Sequence, residues 1–500
     1  MAPAKPLSPD GVRAADETTP LLVAPTTEPN GESATAAISN GKTDDPEEQH
    51  QDEIEEEDEP LPIGQILLLC FARLMEPIAF FGIFPFLNKM IHETGGVDKA
   101  DVGFYSGLIE SLFSLTQVCV MIAWGRAADR IGRKPVLVFS LCGVTIATGA
   151  FGFSTSFWQM AFFRCLAGVF AGTIVTIRAM ISENSTKKTQ AQAFSWFAFS
   201  GYIGISLGPF IGGTLENPAE KFAFFKNIQL FKDFPYALPT IAIASFGFVA
   251  AVISALFIKE TLHRHESKGS TDNTPPKSTW EIIKAPGVAI VLGLYGFTML
   301  MAFAYTAVLP VYLFTDIKLG GLQFPPLGIS IVMGVGGLAQ AVYLLLIFTP
   351  LQKRFGTVGV MRLCAYVWPF FFSLGPILNT FRRHDAMVPF WVFGPSGLAL
   401  GSGVAMAFTA VQLALNDISP SHKEFGTLNA LALATSSGTR AFAPALATSI
   451  YAVGVGKQIA AGHLFWLILI ATALLYAAAV RWLPKKAEGK YYKKVDTDDA

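Results

Sequence analysis

Charged residues are scarce in this sequence, and their scarcity limits the classes of protein that it can encode. Of the 500 residues, 15% are Asp, Glu, Lys or Arg, whereas soluble domains carry roughly 25%. Hydrophobic residues make up 52% of the chain. They gather in apolar stretches of about 18 residues or more, each long enough to cross a hydrocarbon core about 30 Å thick. This composition excludes an ordinary soluble globular protein.

Patterns for metal binding and nucleotide hydrolysis are also missing. The sequence contains no Walker A pattern, no HExxH and no CxxC pair, so we expect neither an enzyme nor a resident cofactor or metal. We expect no nucleic-acid partner either. The cysteines fall inside apolar stretches, and we predict that they are small buried hydrophobic residues. There are five of them: Cys70, Cys119, Cys142, Cys165 and Cys364.

The apolar stretches form two blocks that are separated and flanked by polar segments. Because backbone polar groups in lipid need partners within their own segment, the stretches must be helices. We predict an all-α membrane protein with twelve transmembrane helices in two six-helix bundles. The parts are a disordered acidic tail (1–60), an N-terminal bundle (61–258), a linker (259–286), a C-terminal bundle (287–483) and a basic tail (484–500).

Twelve spans are predicted, with six in each bundle. The N-terminal spans are 65–89, 102–124, 135–154, 157–178, 191–215 and 236–258. The C-terminal spans are 287–314, 326–349, 357–379, 387–413, 426–452 and 462–483.

The distribution of Lys and Arg between the loops predicts how the chain lies in the membrane. The loop after span two is strongly basic, and the linker and the C-terminal tail are also basic, whereas the loop between spans three and four has no Lys or Arg. Arg382 and Arg383, between spans nine and ten, are the main exception. Since basic loops stay in the cytosol, we expect the tails, the linker and both termini to be cytosolic.

The two halves of the sequence are similar at three equivalent places. Phe84-Pro85 in span one matches Leu309-Pro310 in span seven, and residues 129–132 after span two match residues 353–356 after span eight. Gly208-Pro209 in span five matches Ala443-Pro444 in span eleven. Repeated halves are typical of secondary transporters, which bind their substrate near the midplane between the halves.

The loop between spans two and three reads G-R-A-A-D-R-I-G-R-K over residues 125–134. Its glycines permit a tight turn. Asp129 can accept hydrogen bonds from a helix N-terminus or pair with Arg133, and Glu183 can pair with Arg133 or with Arg178. Alternatively, the loop only fixes the orientation of the chain. The candidate gate residues are Gly125, Asp129, Arg130, Gly132, Arg133, Lys134 and Glu183.

Small residues and a proline mark span five. Glycines at this spacing lie on nearly one helix face and let a neighbouring helix approach closely, and a proline bends the helix. We expect this packing to close a leak path and to favour exchange, although ordinary helix packing is the alternative. The residues are Gly204, Gly208, Pro209, Gly212 and Gly213.

Charges inside the spans are candidates for proton coupling and substrate binding, because a charge at the bilayer centre costs a few kcal/mol unless it is paired or hydrated. Arg73 and Glu76 share a helix face and can pair. Glu110 needs a partner from another helix or a proton. Arg164 is its predicted charge partner or a contact for a substrate anion. Arg440 in span eleven is the fifth charge.

Aromatic residues are the remaining candidates, as possible walls of a substrate cavity. They are Phe80, Phe81, Phe84, Tyr295, Tyr305, Trp368 and Trp391.

Three of these segments resemble signatures of the major facilitator superfamily. Residues 125–134 resemble its loop 2–3 signature G-x-L-x-D-R-x-G-R-K, with Ala127 in place of Leu. Residues 164–168 resemble its R-x-x-x-G motif. The run from Gly204 to Gly213 resembles the motif G-x-x-x-G-P-x-x-G-G of its drug:proton antiporters. The resemblance covers roughly residues 61–483 and implies two bundles that rock around a central cavity, with the loop at Asp129 as a latch.

Two further segments resemble a fungal and plant branch of that superfamily related to zinc-induced-facilitator-like transporters. They are A-R-L-M-E-P-I in span one and G-L-I-E-S in span two. Span seven departs from that branch, because Tyr305-Thr306 is followed by Ala307 and not by an acidic residue.

We therefore expect a proton-coupled antiporter for a small organic solute or drug, in the vacuolar or plasma membrane. A proton symporter for uptake and a non-transporting sensor on the same fold are the alternatives. The expected partners are the solute, protons and the lipid bilayer. Leu21 and Leu22 follow an acidic residue in the tail and resemble a dileucine signal that is read by a sorting adaptor.

Overall fold

The computed structural model describes residues 61–99, 101–186, 189–262, 279–418, 422–484 and 487. These residues form helices and short connections, without a strand among them. The predicted N-terminal tail, most of the linker and most of the C-terminal tail lie outside the described residues.

The first half of the chain contains spans one to six. Span one has two parts, and Pro77 lies inside the first. Span four is interrupted before Thr173 by a residue outside helical geometry, Ala171. The helices are Ile63–Phe81 and Phe84–Gly95 (span one), Val102–Ile131 (two), Arg133–Phe151 (three), Phe157–Phe170 and Thr173–Glu183 (four), Gln190–Leu215 (five) and Ala237–Phe257 (six).

The second half contains spans seven to twelve, and two of them change their helical geometry. Span eight continues from its α-helix into a π-helical turn, and span ten has a 3₁₀ segment between two α-helices. The helices are Val288–Phe314 (seven), Pro326–Val342 with Tyr343–Ile347 (eight), Phe348–Arg383 (end of eight, and nine), Met387–Gly401 and Met406–Asp417 (ten), His422–Gly456 (eleven) and Leu464–Ala479 (twelve).

Twelve spans can be accommodated in these helices. Ten stretches of the described residues are long and apolar enough to cross a membrane. One of them, Pro326–Arg383, has 58 residues, about twice what one crossing needs, and it turns at Gly356. His422–Gly456 is not among the ten, yet its 35 residues are also long enough to cross. This gives the predicted twelve transmembrane helices.

The similarity between the halves extends to backbone geometry. Gly132, after span two, has φ 120°, and Gly356, after span eight, has φ 70°. L side chains rarely adopt positive φ, so glycine is favoured at both turns. The repeated sequence therefore encodes the same kind of turn twice.

One group of contacts between the halves lies at the end of the molecule where spans one and two meet, called the Lys99 end. Lys99 lies 3.4 Å from Asp316 of the second half. Span two packs on span eleven, where a methyl group on Gly107 would lie 2.8 Å from the carbonyl oxygen of Pro444. These contacts join the two halves at the Lys99 end. The opposite end, where spans two and three meet, is called the Asp129 end below.

One prediction about the cysteines is wrong. Cys70 and Cys364 are buried as expected, but Cys119 and Cys142 are exposed and Cys165 is partly exposed. In a membrane-spanning helix the exposed side meets lipid, which suits a small apolar side chain as well as a protein core does.

Candidate functional site

A cavity of about 350 Å³ lies between the two halves. The first half contributes three charged groups, Arg73, Glu76 and Glu110, and the rings of Phe80, Phe81 and Tyr202, and the second half contributes Arg440 together with aromatic side chains. The volume falls within the range of small-molecule sites. The structure thus brings the predicted intramembrane charges of spans one, two and eleven to one place.

Glu76 is buried, and both of its carboxylate oxygens accept hydrogen bonds. One carboxylate oxygen accepts a hydrogen bond from Gln117 Nε2 at 2.9 Å, and the other accepts one from Thr173 Oγ1 at 2.9 Å. Arg73 Nη1 lies 4.0 Å away on the same helix face. Since these partners come from spans one, two and four, Glu76 joins three helices of the first half.

Glu110 is also buried, but its surroundings differ. Its Oε1 atom has no hydrogen-bond partner within the part of the chain that the structure describes. The opposite charges that act on it come from Arg164 in span four and Arg440 in span eleven. The structure thus brings Glu110 together with charges from other helices, as its sequence position requires.

Two aromatic rings lie beside both of these arginines. The Arg164 guanidinium carbon is 4.7 Å from the ring centre of Phe113 and 5.2 Å from that of Phe80. The same atom of Arg440 is 4.5 Å from the Phe80 ring and 5.8 Å from the Phe113 ring. Cation–π attraction of this kind is stronger in a desolvated site. Phe113 was not among the sequence candidates, although it lies one helical turn after Glu110.

The predicted cavity aromatics divide into two groups. Phe80, Phe81, Tyr305 and Trp368 line the cavity. The remaining three lie outside its lining: Phe84 is completely buried in the core, Tyr295 is buried, and Trp391 is exposed.

At the Asp129 end, Arg133 connects two carboxylates. Its Nη1 atom is 2.6 Å from Asp129, and its Nη2 atom is 3.0 Å from Glu183. Glu183 also accepts a hydrogen bond of 2.6 Å from the Thr261 hydroxyl. Of the two predicted partners for Glu183, the structure shows Arg133, whereas the Arg178 guanidinium stands over Phe197.

Glu260 completes this group and was missed by the sequence analysis, which placed it in the linker. Its carboxylate accepts hydrogen bonds from the backbone N–H groups of Arg133 at 2.8 Å and Lys134 at 3.1 Å. These are the first N–H groups of span three, which a carboxylate at a helix N-terminus satisfies. The role of helix acceptor, assigned to Asp129 as one alternative, therefore belongs to Glu260.

Gly132 makes room for Glu260. A methyl group at Gly132 would lie 2.6 Å from Glu260 Oε2, so the glycine is needed for this approach as well as for its positive φ. The other candidates of the loop make fewer side-chain contacts. Arg130 is exposed, Lys134 contacts Glu260 through its backbone, and a methyl group on Gly125 would lie 3.9 Å from its nearest neighbour, Val175.

Hydrogen bonds set the acidity of Glu260. Burial raises its pKa, but hydrogen bonds from four backbone N–H groups, those of Arg133, Lys134, Thr261 and Leu262, outweigh the burial, and the pKa lies below its ordinary value. Glu260 therefore stays ionised at neutral pH.

The small residues of span five face two partners. Gly204 and Gly208 pack on span one, where a methyl group on Gly208 would lie 3.0 Å from the carbonyl oxygen of Ile78. Gly212 contacts Gly82 of the same span, and Pro209 lies inside the span-five helix. Gly213 contacts Ser330 of span eight instead, so the four glycines do not share one face.

Ser206, between these glycines, was also missed. Residues 204–208 read G-I-S-L-G, which matches the GxSxG pattern of hydrolases. That pattern needs a sharp turn between a strand and a helix, whereas Ser206 lies in mid-helix and donates a 2.7 Å hydrogen bond to the carbonyl of Gly334. Its contact joins span five of the first half to span eight of the second.

Comparison with known proteins identifies the family. The profile of the Major Facilitator Superfamily matches residues 69–363. The chain is 48% identical over 432 residues to efflux pump azaK of Aspergillus niger, covering 85% of this chain and 89% of that protein. The chain belongs to the major facilitator superfamily. It is a multi-pass membrane protein and a secondary transporter of small solutes.

More distant relatives agree with this fold and branch. The zinc-induced facilitator-like 1 protein of Arabidopsis thaliana is 27% identical over 419 residues, which cover 79% of this chain and 84% of that protein. The crystal structure of a bacterial homologue of the human lysosomal transporter Spinster, in an inward-facing and unoccupied conformation, superposes with a TM-score of 0.57. It is 17% identical and covers 88% of this chain and 98% of that chain. This last likeness concerns the fold alone.

The Glu260 contact leads to a stability prediction. We expect Glu260→Gln to lower the apparent melting temperature of the purified protein in detergent at pH 7, because a neutral amide accepts the helix N–H groups more weakly. Since the folded pKa is depressed, this stabilisation is present above about pH 4.3, the ordinary value of Glu, and is lost as the pH falls through the folded pKa.

Asp98→Asn, an exposed site between spans one and two, is the control and should melt like the unsubstituted protein. Equal melting of Glu260→Gln and Asp98→Asn at pH 7 would contradict the assigned role of Glu260.

The close packing of span five leads to a second prediction. Gly208→Leu should destabilise the protein by about 1–3 kcal/mol, because the side chain would push span five away from the backbone of span one. Gly438→Leu is the matched control, since no atom lies within 4 Å of a methyl group there. Thermal unfolding in detergent measures both, and similar midpoints for the two variants would mean that the contact tolerates a large side chain.

Proposed function

We propose that this transporter exchanges protons for a small organic solute, and that Glu110 holds the proton. The supporting observation is the buried Glu110 carboxylate with its unpartnered Oε1 atom. A buried ionised carboxylate is costly unless it accepts hydrogen bonds. When lipid and protein enclose the cavity, Oε1 of Glu110 either binds a proton or accepts a hydrogen bond from a donor group of the solute. Because each displaces the other, Glu110 couples their movements in opposite directions.

Glu76 is the other carboxylate that the sequence suggested for proton handling, and its contacts favour a structural role. It already accepts hydrogen bonds from Gln117 and Thr173 and lies beside Arg73. A proton would displace one of these donors and weaken the link between spans one, two and four. We therefore assign proton transfer to Glu110 alone.

We further propose that the halves 61–258 and 287–483 rock about the cavity, joined by the linker 259–286, and that the Asp129 end is cytosolic. The basic loops favour this orientation, with both termini in the cytosol. The contacts at Lys99 and Gly107 then hold the far side closed. The Asp129 side chain is 60% exposed beside Arg133, so it is accessible to a partner from the second half when the cytosolic side closes.

Export from the cytosol, across the plasma membrane or into the vacuole, is the proposed direction of solute movement. The name of the 48% identical relative, an efflux pump, supports it. We also propose that the solute leaves chemically unchanged, so that the protein has no enzymatic activity.

The N-terminal tail supplies a prediction about location. Leu21 and Leu22 lie outside the described residues, and we propose that a sorting adaptor reads them. Replacing both with alanine should move a fluorescently tagged protein from the vacuolar membrane to the plasma membrane, as microscopy would show. An unchanged location would remove these leucines from consideration.

Proton exchange is tested in proteoliposomes that contain a pH-sensitive dye. A panel of aromatic acids, amines and neutral compounds is added outside, with protein-free liposomes as the control for passive permeation. Antiport predicts that a transported solute makes the interior more alkaline, because protons leave as it enters. Glu110→Gln should abolish this pH change, whereas Glu76→Gln, if it folds, should keep it.

The other outcomes separate the alternatives. Acidification of the interior by the transported solute would indicate symport, and the absence of solute movement across the whole panel would indicate a sensor. A pH change that survives in Glu110→Gln would overturn the role of Glu110.

A further inference from the structure

The two halves contribute different side chains to the wall of the cavity. The first half supplies the charged groups Arg73, Glu76 and Glu110 together with the rings of Phe80, Phe81 and Tyr202, whereas the second half supplies mainly aromatic and aliphatic side chains, among them Tyr305, Trp368 and Phe372. Among the described residues of the second half, Arg440 is the one charged group in the lining. A ligand that fills this space meets most of the charged groups on the side of the first half and aromatic rings on both sides.

Several polar atoms beside the cavity lack partners. Among the residues that the structure describes, Nε and Nη1 of Arg73 and Nε and Nη2 of Arg164 are buried without a hydrogen-bond partner, as is Oε1 of Glu110. Arg164 and Glu110 are 3% and 1% exposed. Arg73 and Glu110 line the cavity, whereas Arg164 lies behind the Phe80 and Phe113 rings. Buried polar groups are normally satisfied, so the unpartnered atoms of Arg73 and Glu110 suit a ligand that accepts hydrogen bonds from a guanidinium group and donates one to the carboxylate.

Charge narrows the choice of ligand. Arg164 and Arg440 act on Glu110, and Arg73 and Arg178 act on Glu76, so these arginines outnumber the two carboxylates even when both are ionised. A cationic ligand would add to this positive excess at low dielectric, where like charges repel strongly. An anionic ligand would reduce it.

We propose that the transported solute is an aromatic organic anion that also carries a hydroxyl group, such as a hydroxylated aromatic carboxylate. Its acidic group takes the hydrogen bonds of the arginines, its hydroxyl donates to Glu110, and its rings pack against the aromatic wall of the second half. Arginine suits this role because its planar fork matches a carboxylate. The inference rests on the proposed function in one respect: the hydroxyl competes with the proton on Glu110.

The aromatic wall gives the ligand its apolar contacts. Ring pairs such as Tyr305 with Phe371, whose centres are 5.1 Å apart, offer faces and edges on which another ring can stack. Phe80, next to Arg164 and Arg440, lies where the charged and aromatic sides meet. The acidic group of the ligand therefore binds near Phe80, and its rings extend towards the second half.

Binding of four naphthalene compounds to the purified full-length protein tests this inference, by titration calorimetry at pH 7. The probe is 6-hydroxy-2-naphthoic acid. Its 6-methoxy analogue lacks the donor, its methyl ester lacks the negative charge, and 6-(aminomethyl)-2-naphthol replaces the anion with a cation. We expect the acid to bind roughly tenfold or more tightly than each of the others, as loss of a charge-assisted or buried hydrogen bond implies.

Variants locate the binding groups. Arg440→Gln should remove the preference for the acid over the ester, and Glu110→Gln should reduce the preference for hydroxyl over methoxy. Arg481→Gln, an exposed arginine at the end of span twelve, is the matched control and should change neither. If Arg440→Gln fails to fold, Arg440→Lys keeps the charge and should retain the preference for the acid over the cation.

Binding of the cation as tightly as the acid, or no binding of any of the four, would overturn the inference. The two proposals fail separately. If an aromatic amine drives proton exchange in the liposomes while the acid does not bind, proton exchange stands and the anion class fails. If the acid binds and is transported without a pH change, the anion class stands and proton exchange fails.

Discussion

The cost of a charge in a medium without water shapes this transporter. Five charged side chains lie at or beside the cavity between its halves, and each needs a neighbour that compensates its charge. Glu76 is satisfied by Gln117 and Thr173, whereas Glu110 and Arg164 keep atoms without a partner within the described part of the chain. This difference is the reason for our proposal that Glu76 holds helices together and that Glu110 carries the proton. The same buried environment makes both carboxylates costly, and Glu110 is the one whose need for a partner is not met there.

The same constraint acts at the Asp129 end, where lipid gives way to water. There, Arg133, Glu183 and Glu260 join the loop after span two, the end of span four and the segment after span six. These contacts are partly exposed, and a single exposed ion pair contributes little to stability. The network contributes to stability mainly through the hydrogen bonds that Glu260 accepts from backbone N–H groups. An unsatisfied helix N-terminus is costly in any conformation of the protein.

Much of the fold could be predicted from the sequence, because membrane-spanning helices are recognisable by their length and apolar composition. The pair of Asp129 and Arg133 was one of two alternatives that the loop sequence suggested, and Arg133 was one of two partners predicted for Glu183. Glu260 was missed because its role depends on span six ending beside the start of span three, which no local pattern states. Arg440 was noticed as a charge, but its approach to Phe80 across the two halves could not be read from one helix. The same holds for Gly213, whose partner Ser330 belongs to the other half.

The packing of span five on both halves bears on how the halves can move. One side of it is fixed against span one through Gly204 and Gly208, while Gly213 and Ser206 touch span eight of the other half. On the side of span eight, glycines bring the two backbones close together: the Phe210 ring of span five lies against Gly334, and Ser206 lies against Gly337. In the rocking motion that we propose, the second half would tilt along this contact. The charged groups at the cavity and the contacts between the halves at the Lys99 end would then oppose the tilt, so that occupancy of the cavity would set when the halves move.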